Sequence, residues 1–287
     1  MLRGWLRLSL FLLFCNLEAE VYDIAVASMF KNCAPYIREW VVYHQMIGVD
    51  HFWLYDNGST DNGAEVIQDF IEKGIVELFD WPSNNSDWCS AQIQAFRNGL
   101  ERGLGTAEWI VLLDQDEFIL PMKDGSLKEC MKRHFGDVGA VYMSWRNFGT
   151  SHVTLAPGES MLPRLTFASL RNHPSNATGK SIIRTKCADL SQYHCQHYCA
   201  LKPGYKYVNG SGGETLRFHG SVLSTDGFTY DQFIRVNHYA HRDEAYFWGY
   251  RIMSHGDPNQ LMEHYISFNQ TQDFEILNFI QKRREIK

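Results

Sequence analysis

The chain has 287 residues, of which 45% are hydrophobic and 21% are charged, the composition of a globular protein with a full core. This composition excludes an intrinsically disordered chain. The formal net charge is −6, with 27 Lys and Arg against 33 Asp and Glu. Non-specific binding to nucleic acid needs dense positive charge, so we expect no nucleic-acid partner.

Residues 1–19 have the composition of a hydrophobic leader. Arg3 and Arg7 precede an apolar run at residues 8–14, which is shorter than the ~20 residues needed to span a bilayer. The pattern is typical of a signal peptide cleaved after Ala19, and it predicts the secretory pathway, in the ER or Golgi lumen, or association with a membrane. The alternative is a cytoplasmic protein whose leader is not a targeting signal.

Cysteines and glycosylation motifs favour the secretory interpretation. Six of the seven cysteines lie outside the leader, which is compatible either with disulfides or with buried thiols. Asn-x-Ser/Thr motifs agree with exposure to a secretory lumen. These motifs begin at Asn57, Asn84, Asn176, Asn209 and Asn269.

The first half of the chain alternates between predicted strands and predicted helices. Short apolar segments predict strands at residues 23–30, 51–56, 75–80 and 109–113. Apolar residues at three- and four-residue spacing predict helices at 34–47, before Gly74, and at 90–102. Pro35 suits the first turn of the first helix, and Gly48 ends it. The alternation predicts βαβ units and a mostly parallel sheet flanked by helices.

The second half of the chain is less regular. Strands are predicted at residues 140–145, 181–184 and 234–238, and helices at 244–253 and from residue 274 onward. Residues 155–176 are predicted to be loops. No Pro-, Ser- or Gly-rich linker divides the chain, so we predict a single α/β domain at residues 20–287.

The fourth predicted strand, WIVLL, is followed at once by the acids Asp114, Asp116 and Glu117. In parallel sheets, ligands bind beyond the carboxyl ends of the strands, where Asp56 also lies. Buried charge is costly unless it is paired or bound to metal, so the acids are either solvated or hold a cation. Carboxylate oxygens suit Mg²⁺ or Mn²⁺.

Six sequence segments follow one another in order along most of the chain. They are VASMFKNCAPYIREWVVYHQMIGVDHFWLYDNGSTDN, WIVLLDQDEFI, SWRNFGTS, GKSIIR, HCQH and VNHYAHRDEAYF. Together they resemble the motifs of the family 92 glycosyltransferases and their relatives in family 2. Several motifs in the same order are far more specific than any one of them.

The resemblance implies a GT-A fold, a single α/β domain that binds a nucleotide sugar with Mn²⁺ or Mg²⁺. It implies a nucleotide-binding half at about residues 22–120 and an acceptor half at about 121–260. The implied function is inverting transfer of a sugar, from a UDP-sugar such as UDP-galactose, to a hydroxyl of a glycan or other glycoconjugate acceptor.

Carried over by position, the resemblance implies a metal site formed by Asp114, Asp116 and His238, with Asp116 as the main ligand. Cys33, Arg242 and Asp243 depart from the carboxylate, lysine and serine that the family usually has there. The residues predicted to bind the nucleotide sugar are Ala27, Lys31, Asn32, Asp56, Asn57, Asp114, Lys180 and Arg242, and also Arg97, whose guanidinium would suit a diphosphate if it lies near the cleft and is otherwise helix surface.

Several roles stay open. Trp145 and Phe148 are either core residues or a platform for the flat face of an acceptor sugar. Residues 194–199, HCQHYC, lack the paired spacing of a zinc site, and a disulfide from this segment to Cys187 is an alternative. The general base that inversion needs is unresolved. The candidates are His197, Glu214, Asp226 and Asp231.

Two other functions agree with the acids. One is a metal-dependent nucleotidyltransferase or phosphotransferase that uses the same carboxylates on a nucleotide. The other is a non-catalytic, carbohydrate-binding relative, which would bind sugar without depending on a metal.

Overall fold

A computed structural model describes residues 22–84, 87–214, 216–219, 222–225, 229–254 and 257–285. The predicted leader and Asp226 lie outside these residues. The described chain is one α/β domain built around a large central sheet, as the sequence predicted.

The strands of the described residues agree well with the predicted ones. All predicted strands are present, most of them with bounds within two residues of the prediction. The strands are β1 (Tyr22–Phe30), β2 (His51–Asp56), β3 (Val76–Asp80), β4 (Ala107–Leu112), β5 (Glu117–Pro121), β6 (Ala140–Asn147), β7 (Phe167–Ala168), β8 (Gly179–Arg184), β9 (Tyr207–Asn209), β10 (Arg217–His219), β11 (Val222–Ser224), β12 (Ile234–His238) and β13 (Thr271–Gln272).

The helices include two that the sequence did not predict, α4 and α7. The second predicted helix is shorter than expected, because a 3₁₀ turn at Glu65–Ile67 precedes it. The helices are α1 (Ala34–Ile47), α2 (Gln68–Glu72), α3 (Trp88–Gly103), α4 (Leu127–His134), α5 (Glu244–Tyr246), α6 (Ile252–Ser254), α7 (Pro258–Ser267) and α8 (Glu275–Glu285).

The central sheet has the strand order β3-β2-β1-β4-β8-β6-β12-β5, and β9 also pairs with β6. The pairs β3-β2, β2-β1 and β1-β4 are parallel, so the βαβ prediction is confirmed. β8 and β5 run antiparallel to their neighbours. Apolar side chains cover both faces, with α1 packed in the core on one side and α3 on the other.

The acidic segment does not continue β4. β5 pairs with β12 at the far end of the sheet, so residues 113–116 must cross from β4 over β8, β6 and β12 to reach it. The crossing segment is anchored to β1, because Gln115 Nε2 donates to Ser28 Oγ and to the Met29 carbonyl, each at 2.6 Å. The acids therefore lie along the carboxyl edge of the sheet.

Helix α1 supports the far side of this crossing. Its bounds match the prediction, with Pro35 in the first turn and Gly48 in the left-handed region at φ 107°. Trp40 Nε1 donates to the Glu117 carbonyl at 2.8 Å, and Tyr43 Oη donates to the Ile119 carbonyl at 2.7 Å. Helix α1 therefore fixes the backbone of β5.

His44 of α1 joins the same contact and is fully buried. Its Nδ1–H donates to the Trp40 carbonyl at 2.9 Å, and its Nε2 accepts from the Ile119 N–H at 3.2 Å. These two bonds need the neutral ring, and burial lowers the pKa of His44 to about 3.

We expect acid to weaken the fold through His44. Its pKa is about 6.5 in the unfolded chain and about 3 in the fold, so this contribution to stability is complete above pH 6.5 and is lost as the pH falls towards 3. The free energy of unfolding in urea should drop by about 1 kcal/mol through this residue between pH 7 and pH 5.5. His44→Gln should be less stable at pH 7 yet lose less on acidification. An unchanged pH dependence in this variant would contradict the prediction.

Gly179 is required where β8 begins. A Cβ there would lie 1.9 Å from the Met143 carbonyl oxygen and 2.8 Å from its carbon, and this is backbone that cannot move aside within the sheet. We expect Gly179→Ala to lower the free energy of unfolding by about 3 kcal/mol or more. In the control Gly136→Ala, the new Cβ meets its nearest atom at an ordinary 3.5 Å, so urea unfolding should change little. Equal effects in the two variants would refute the clash.

The cysteines outside the leader are all free in the described residues, and only Cys89 is exposed. The disulfide considered for Cys187 is therefore not formed. Three of the five Asn-x-Ser/Thr asparagines, Asn57, Asn176 and Asn209, are at most 1% exposed and are closed to glycosylation in the fold. Along the described residues, every helix is too short or too polar to cross a bilayer.

Candidate active site

A cleft of about 800 Å³ opens at the carboxyl edge of the sheet. The acidic crossing segment forms its floor, the turn after β1 forms one wall, and the end of β12 with the following helix forms the opposite wall. The lining residues are Met29, Lys31, Asn32, Cys33, Trp88, Gln92, Asp114, Gln115, Asp116, Trp145, His238, Ala240, Arg242, Tyr246, Tyr250 and Arg251.

Asp114 has both carboxylate oxygens occupied by protein donors. Gln92 Nε2 donates to Oδ1 at 2.7 Å, and Lys180 Nζ donates to Oδ2 at 2.9 Å. These contacts fix the side chain and neutralise its charge. Asp114 is therefore a positioned acceptor at the cleft floor, and its oxygens are poorly placed to be primary metal ligands.

Glu117 and Lys180 form a fully buried pair beneath the floor, with the Glu117 Oε2 and the Lys180 Nζ 3.7 Å apart. Glu117 also accepts from the Asp114 N–H and from Trp145 Nε1, each at 2.8 Å. Burial raises the pKa of Glu117, and Lys180 opposes that rise. Burial alone would lower the pKa of Lys180, but the Asp114 and Glu117 carboxylates outweigh it and raise it to about 12. The network keeps Lys180 charged.

Asp116 and His238 face each other across the cleft floor, with Oδ1 and Nε2 3.9 Å apart. Their side chains are 19% and 14% exposed, so both reach the cleft from a sheltered position. The backbone carbonyl of Asp116 accepts from the Tyr239 N–H at 2.7 Å. That bond fixes Asp116 beside the end of β12.

Asn147 sets the tautomer of His238. Its Nδ2 donates to the Ser175 carbonyl and to Asn176 Oδ1, so its own Oδ1 must accept from His238 Nδ1–H, at 2.9 Å. Burial, and then the charge of Arg251, lowers the pKa of His238 to about 3. The Nε2 lone pair is therefore free to face Asp116.

The donor set fits a hard divalent cation with few protein ligands. No group of three or more His, Cys, Asp or Glu that could hold a metal occurs in the described residues, so the predicted trio of Asp114, Asp116 and His238 is not formed. Mg²⁺ and Mn²⁺ sites in nucleotide enzymes commonly use one or two protein ligands and leave the rest to water and phosphate. Asp116 and His238 provide that arrangement.

The nucleotide-sugar residues implied by resemblance fall into two groups. Lys31, Asn32, Asp114 and Arg242 line the cleft, and Lys180 lies directly beneath it. The others lie outside the described lining: Ala27 is buried under α3, Asp56 accepts from the Ser59 N–H in a turn, Asn57 is bonded to Trp81 and Ser83, and Arg97 pairs with Glu101 on α3.

Ala27 and Phe148 are corrections. The prediction that Ala27 contacts the nucleotide is wrong, because its side chain packs among α3 residues and is fully buried. Phe148 is also fully buried, and its ring stacks on Tyr239 with centroids 4.5 Å apart, so it is a core residue. Trp145 does line the cleft and stacks on His238 with centroids 4.3 Å apart.

The candidate bases that are described do not line the cleft. Glu214 is exposed and pairs with Lys206, and Asp231 is buried between Arg171 and Arg235. His197 lies closer, edge-on behind Trp145, and burial lowers its pKa to about 4. Its Nδ1–H donates to the Gly179 carbonyl at 3.0 Å.

Sequence reasoning missed several residues that line the cleft. Gln92, Tyr246, Tyr250 and Arg251 were not predicted as site residues, although Tyr246 lies within the recognised HRDEAYF segment and Tyr250 and Arg251 follow it. The four-residue spacing of Tyr246 and Tyr250 was the available signal, since residues four apart share one face of a helix. Arg251, five residues after Tyr246, reaches the same cleft in a helix that is irregular there.

Comparison with known proteins matches residues 23–272 to glycosyltransferase family 92. A family 92 protein of rice (Oryza sativa subsp. japonica) is 28% identical over 205 residues, 70% of this chain and 33% of its own. One of Ricinus communis is 26% identical over 196 residues, 67% of this chain and 34% of its own. The chain thus spans about a third of the length of these curated relatives.

Among solved structures, S. aureus TarS is similar over 61% of this chain and 32% of its own, with 14% identity and a TM-score of 0.39. The family match covers most of the chain and includes the crossing segment and both walls of the cleft. This chain belongs to glycosyltransferase family 92.

Proposed function

We propose that this chain transfers a sugar from a nucleotide-sugar donor to a hydroxyl of a glycan or glycoconjugate acceptor. The donor is a UDP-sugar such as UDP-galactose, the displacement is inverting, and the cofactor is Mn²⁺ or Mg²⁺. Membership of family 92 and a cleft large enough for a small-molecule donor support the reaction class.

One observation carries the proposal. Asp116 and the neutral His238 meet 3.9 Å apart at the floor of a cleft that lies beyond the carboxyl ends of the strands. Such an edge is where α/β sheets bind nucleotides. When bound by these two residues, a divalent cation supplies Lewis-acid stabilisation to the diphosphate leaving group.

The other residues of the cleft have separate tasks. Lys180 and Gln92 hold the Asp114 carboxylate in one orientation at the floor of the cleft. There it can accept a hydrogen bond from a hydroxyl of the donor. Met29 at the end of β1, with Lys31 and Asn32 in the turn that follows, offers a wall for the nucleotide. Trp145, fixed by Glu117, presents a flat face for a sugar.

The test is release of UDP from a panel of UDP-sugars that includes UDP-galactose, with Mn²⁺ and with Mn²⁺ plus excess EDTA. We expect UDP release with one donor, acceleration by glycan acceptors, and loss of the signal in EDTA. A parallel incubation with nucleoside triphosphates would reveal nucleotidyl or phosphoryl transfer. The proposal would be contradicted if UDP release were the same with and without EDTA. It would also be contradicted if only the nucleoside triphosphates gave a product.

A further inference from the structure

A buried asparagine, Asn176, lies behind the end of β6. It is fully buried in a 3₁₀ turn, Pro174–Ala177, that packs against this strand. Asn176 Nδ2 donates to the carbonyls of Leu170 and Arg171, at 2.9 and 3.3 Å. Because a carbonyl can only accept, these two bonds fix the side on which the Asn176 amide carries its nitrogen.

The oxygen of the Asn176 amide faces Asn147, the last residue of β6. Asn176 Oδ1 accepts from the Asn147 N–H at 3.1 Å, from Asn147 Nδ2 at 2.9 Å and from Ser169 Oγ at 3.1 Å. A backbone N–H can only donate, which agrees with the orientation of the Asn176 amide. The Ser175 carbonyl also accepts from Asn147 Nδ2, at 3.1 Å. Two acceptors therefore hold the nitrogen of the Asn147 amide on the side away from β12.

The chain of amides ends at His238, which pairs with Asn147 in the register of β6 and β12. Asn147 turns only its oxygen to the ring, and His238 Nδ1–H donates to that oxygen at 2.9 Å. Both asparagines are at most 2% exposed, so solvent does not replace these partners. The backbone groups around Asn176 thus decide, through two side-chain amides, which nitrogen of His238 carries the hydrogen.

The opposite tautomer of His238 would have a partner of its own. Asp116 Oδ1 lies 3.9 Å from His238 Nε2. With the hydrogen on Nε2, a small movement would let the Asp116 carboxylate accept it in a charge-assisted hydrogen bond. The ring would then have no lone pair facing the cleft, and a cation could not bind it. The bond to Asn147 opposes this pairing of Asp116 with His238.

We propose that Asn176 is a positioning residue for cation binding, which acts through Asn147 to keep the hydrogen of His238 on Nδ1. The inference rests on the proposed function, in which His238 holds the cation. It adds a control by a side chain that is fully buried and does not line the cleft. Replacing a partner that orients a metal ligand typically weakens metal binding by about 10- to 100-fold.

The first measurement is the tautomer of His238 in the metal-free protein, from ¹⁵N NMR of the histidine rings. The His238 signals are identified by their loss in His238→Gln. We expect the Nδ1–H tautomer in the wild-type protein. In Asn176→Leu the Asn147 amide loses one of the two acceptors that hold its nitrogen, so it can turn that nitrogen towards His238. We therefore expect this variant to contain the Nε2–H tautomer although Asn147 is unchanged.

A conservative variant separates orientation from stability. In Asn176→Asp, one oxygen still accepts from Asn147, and burial keeps the acid neutral, so its hydroxyl can donate to the Leu170 carbonyl. This variant should be less stable than the wild-type protein, as Asn176→Leu is, yet retain Nδ1–H at His238.

Asn209→Leu is the matched control. Asn209 is also fully buried, and its Oδ1 accepts from two backbone N–H groups in the turn after β9, away from the cleft lining. The substitution should destabilise the fold and leave the tautomer of His238 unchanged.

The second measurement is Mn²⁺ binding in the presence of UDP, followed by the EPR signal of the free ion. Asn176→Leu should weaken Mn²⁺ binding by about 10- to 100-fold, whereas Asn176→Asp and Asn209→Leu should bind nearly as the wild-type protein does. Saturating Mn²⁺ should restore most of the turnover of Asn176→Leu, because binding selects the Nδ1–H tautomer. A merely damaged fold would not recover in this way.

Two results would overturn the inference. One is the Nε2–H tautomer in the metal-free wild-type protein, which needs no variant. The other is an unchanged tautomer in folded Asn176→Leu, with circular dichroism and thermal melting as the check on folding. If the leucine variant does not fold, Asn176→Ser takes its place, since its hydroxyl is too short to reach the Asn147 amide and the same change of tautomer is expected.

The two proposals fail separately. If the metal-free wild-type protein contains Nε2–H at His238 while Mn²⁺-dependent sugar transfer is present, the role of Asn176 is refuted and the proposed function stands. If the tautomer and Mn²⁺ binding change in Asn176→Leu as expected while no UDP-sugar is turned over, the role of Asn176 stands and the proposed function is refuted.

Discussion

Asp116→Asn should reduce sugar transfer by about three orders of magnitude while leaving the fold intact. Asparagine keeps the shape of the side chain, and the backbone bond from Tyr239 to the residue 116 carbonyl is retained. What is lost is the negative charge facing His238 at 3.9 Å. Charge stabilisation by a bound cation is worth several kcal/mol in the transition state, and each 1.36 kcal/mol is a factor of ten in rate.

The measurement is UDP release from the active donor, together with UDP affinity at increasing Mn²⁺. We expect the variant to lose the increase in UDP affinity that Mn²⁺ produces in the wild-type protein. Asp137→Asn, an exposed acid in a turn, is the matched control and should be unchanged. Normal turnover and normal Mn²⁺ dependence in Asp116→Asn would show that the cation is held elsewhere.

Lys180→Met should lower the free energy of unfolding by about 3–5 kcal/mol, the usual cost of removing one partner of a buried ion pair. The Lys180 side chain is fully buried, as is that of Glu117. Without the ammonium, Glu117 keeps its two N–H donors but is an uncompensated charge in the core. Asp114 also loses one of its two donors.

A second substitution separates charge from packing. Glu117→Gln placed on the Lys180→Met background removes the stranded charge, so the double variant should be more stable than Lys180→Met alone. Urea unfolding of the four proteins gives the coupling energy directly. The exposed pair Lys206–Glu214 is the control, and Lys206→Met should change stability by less than about 1 kcal/mol. If Lys180→Met costs no more than this control, the buried pair does not stabilise the fold.

The first half of the fold was predictable from local patterns. Helix α1 has an apolar stripe bounded by Pro35 and Gly48, and β2 is a compact apolar run before a turn. The first and last residues of both elements were predicted correctly, because the apolar pattern and the residues that begin and end each element agree. The identity of the cleft edge followed from the same alternation, since the ends of parallel strands share one side of a sheet.

β5 could not be found in this way. Its first residue is Glu117, a carboxylate that is fully buried because Lys180, Trp145 and the Asp114 N–H surround it. Lys180 and Trp145 come from distant parts of the chain. The local sequence around Glu117 therefore predicts only that its carboxylate is solvated or binds a metal. The helix α4 was missed for the opposite reason, since its short segment is mostly polar and buries only Leu127, Cys130 and Met131.

The positions of two aromatic side chains also could not be predicted from the sequence. Trp145 and Phe148 are three residues apart, yet the first lines the cleft and the second is packed beneath Tyr239. Sequence allowed either position for both. Side chains alternate sides along extended backbone, so residues three apart face opposite ways, and the sheet decides which side is the cleft.

The crossing segment has a consequence for how the protein acquires activity. Its two ends are anchored by β4 and by β5, and β5 joins the sheet only through β12, which is synthesised much later. Pairing of such remote strands is the slow part of folding, because a large loop must close before any contact compensates for it. A nascent chain that stops short of β12 would already contain Asp114 and Asp116 but could not arrange them, so competence to bind a donor reports completion of the whole domain.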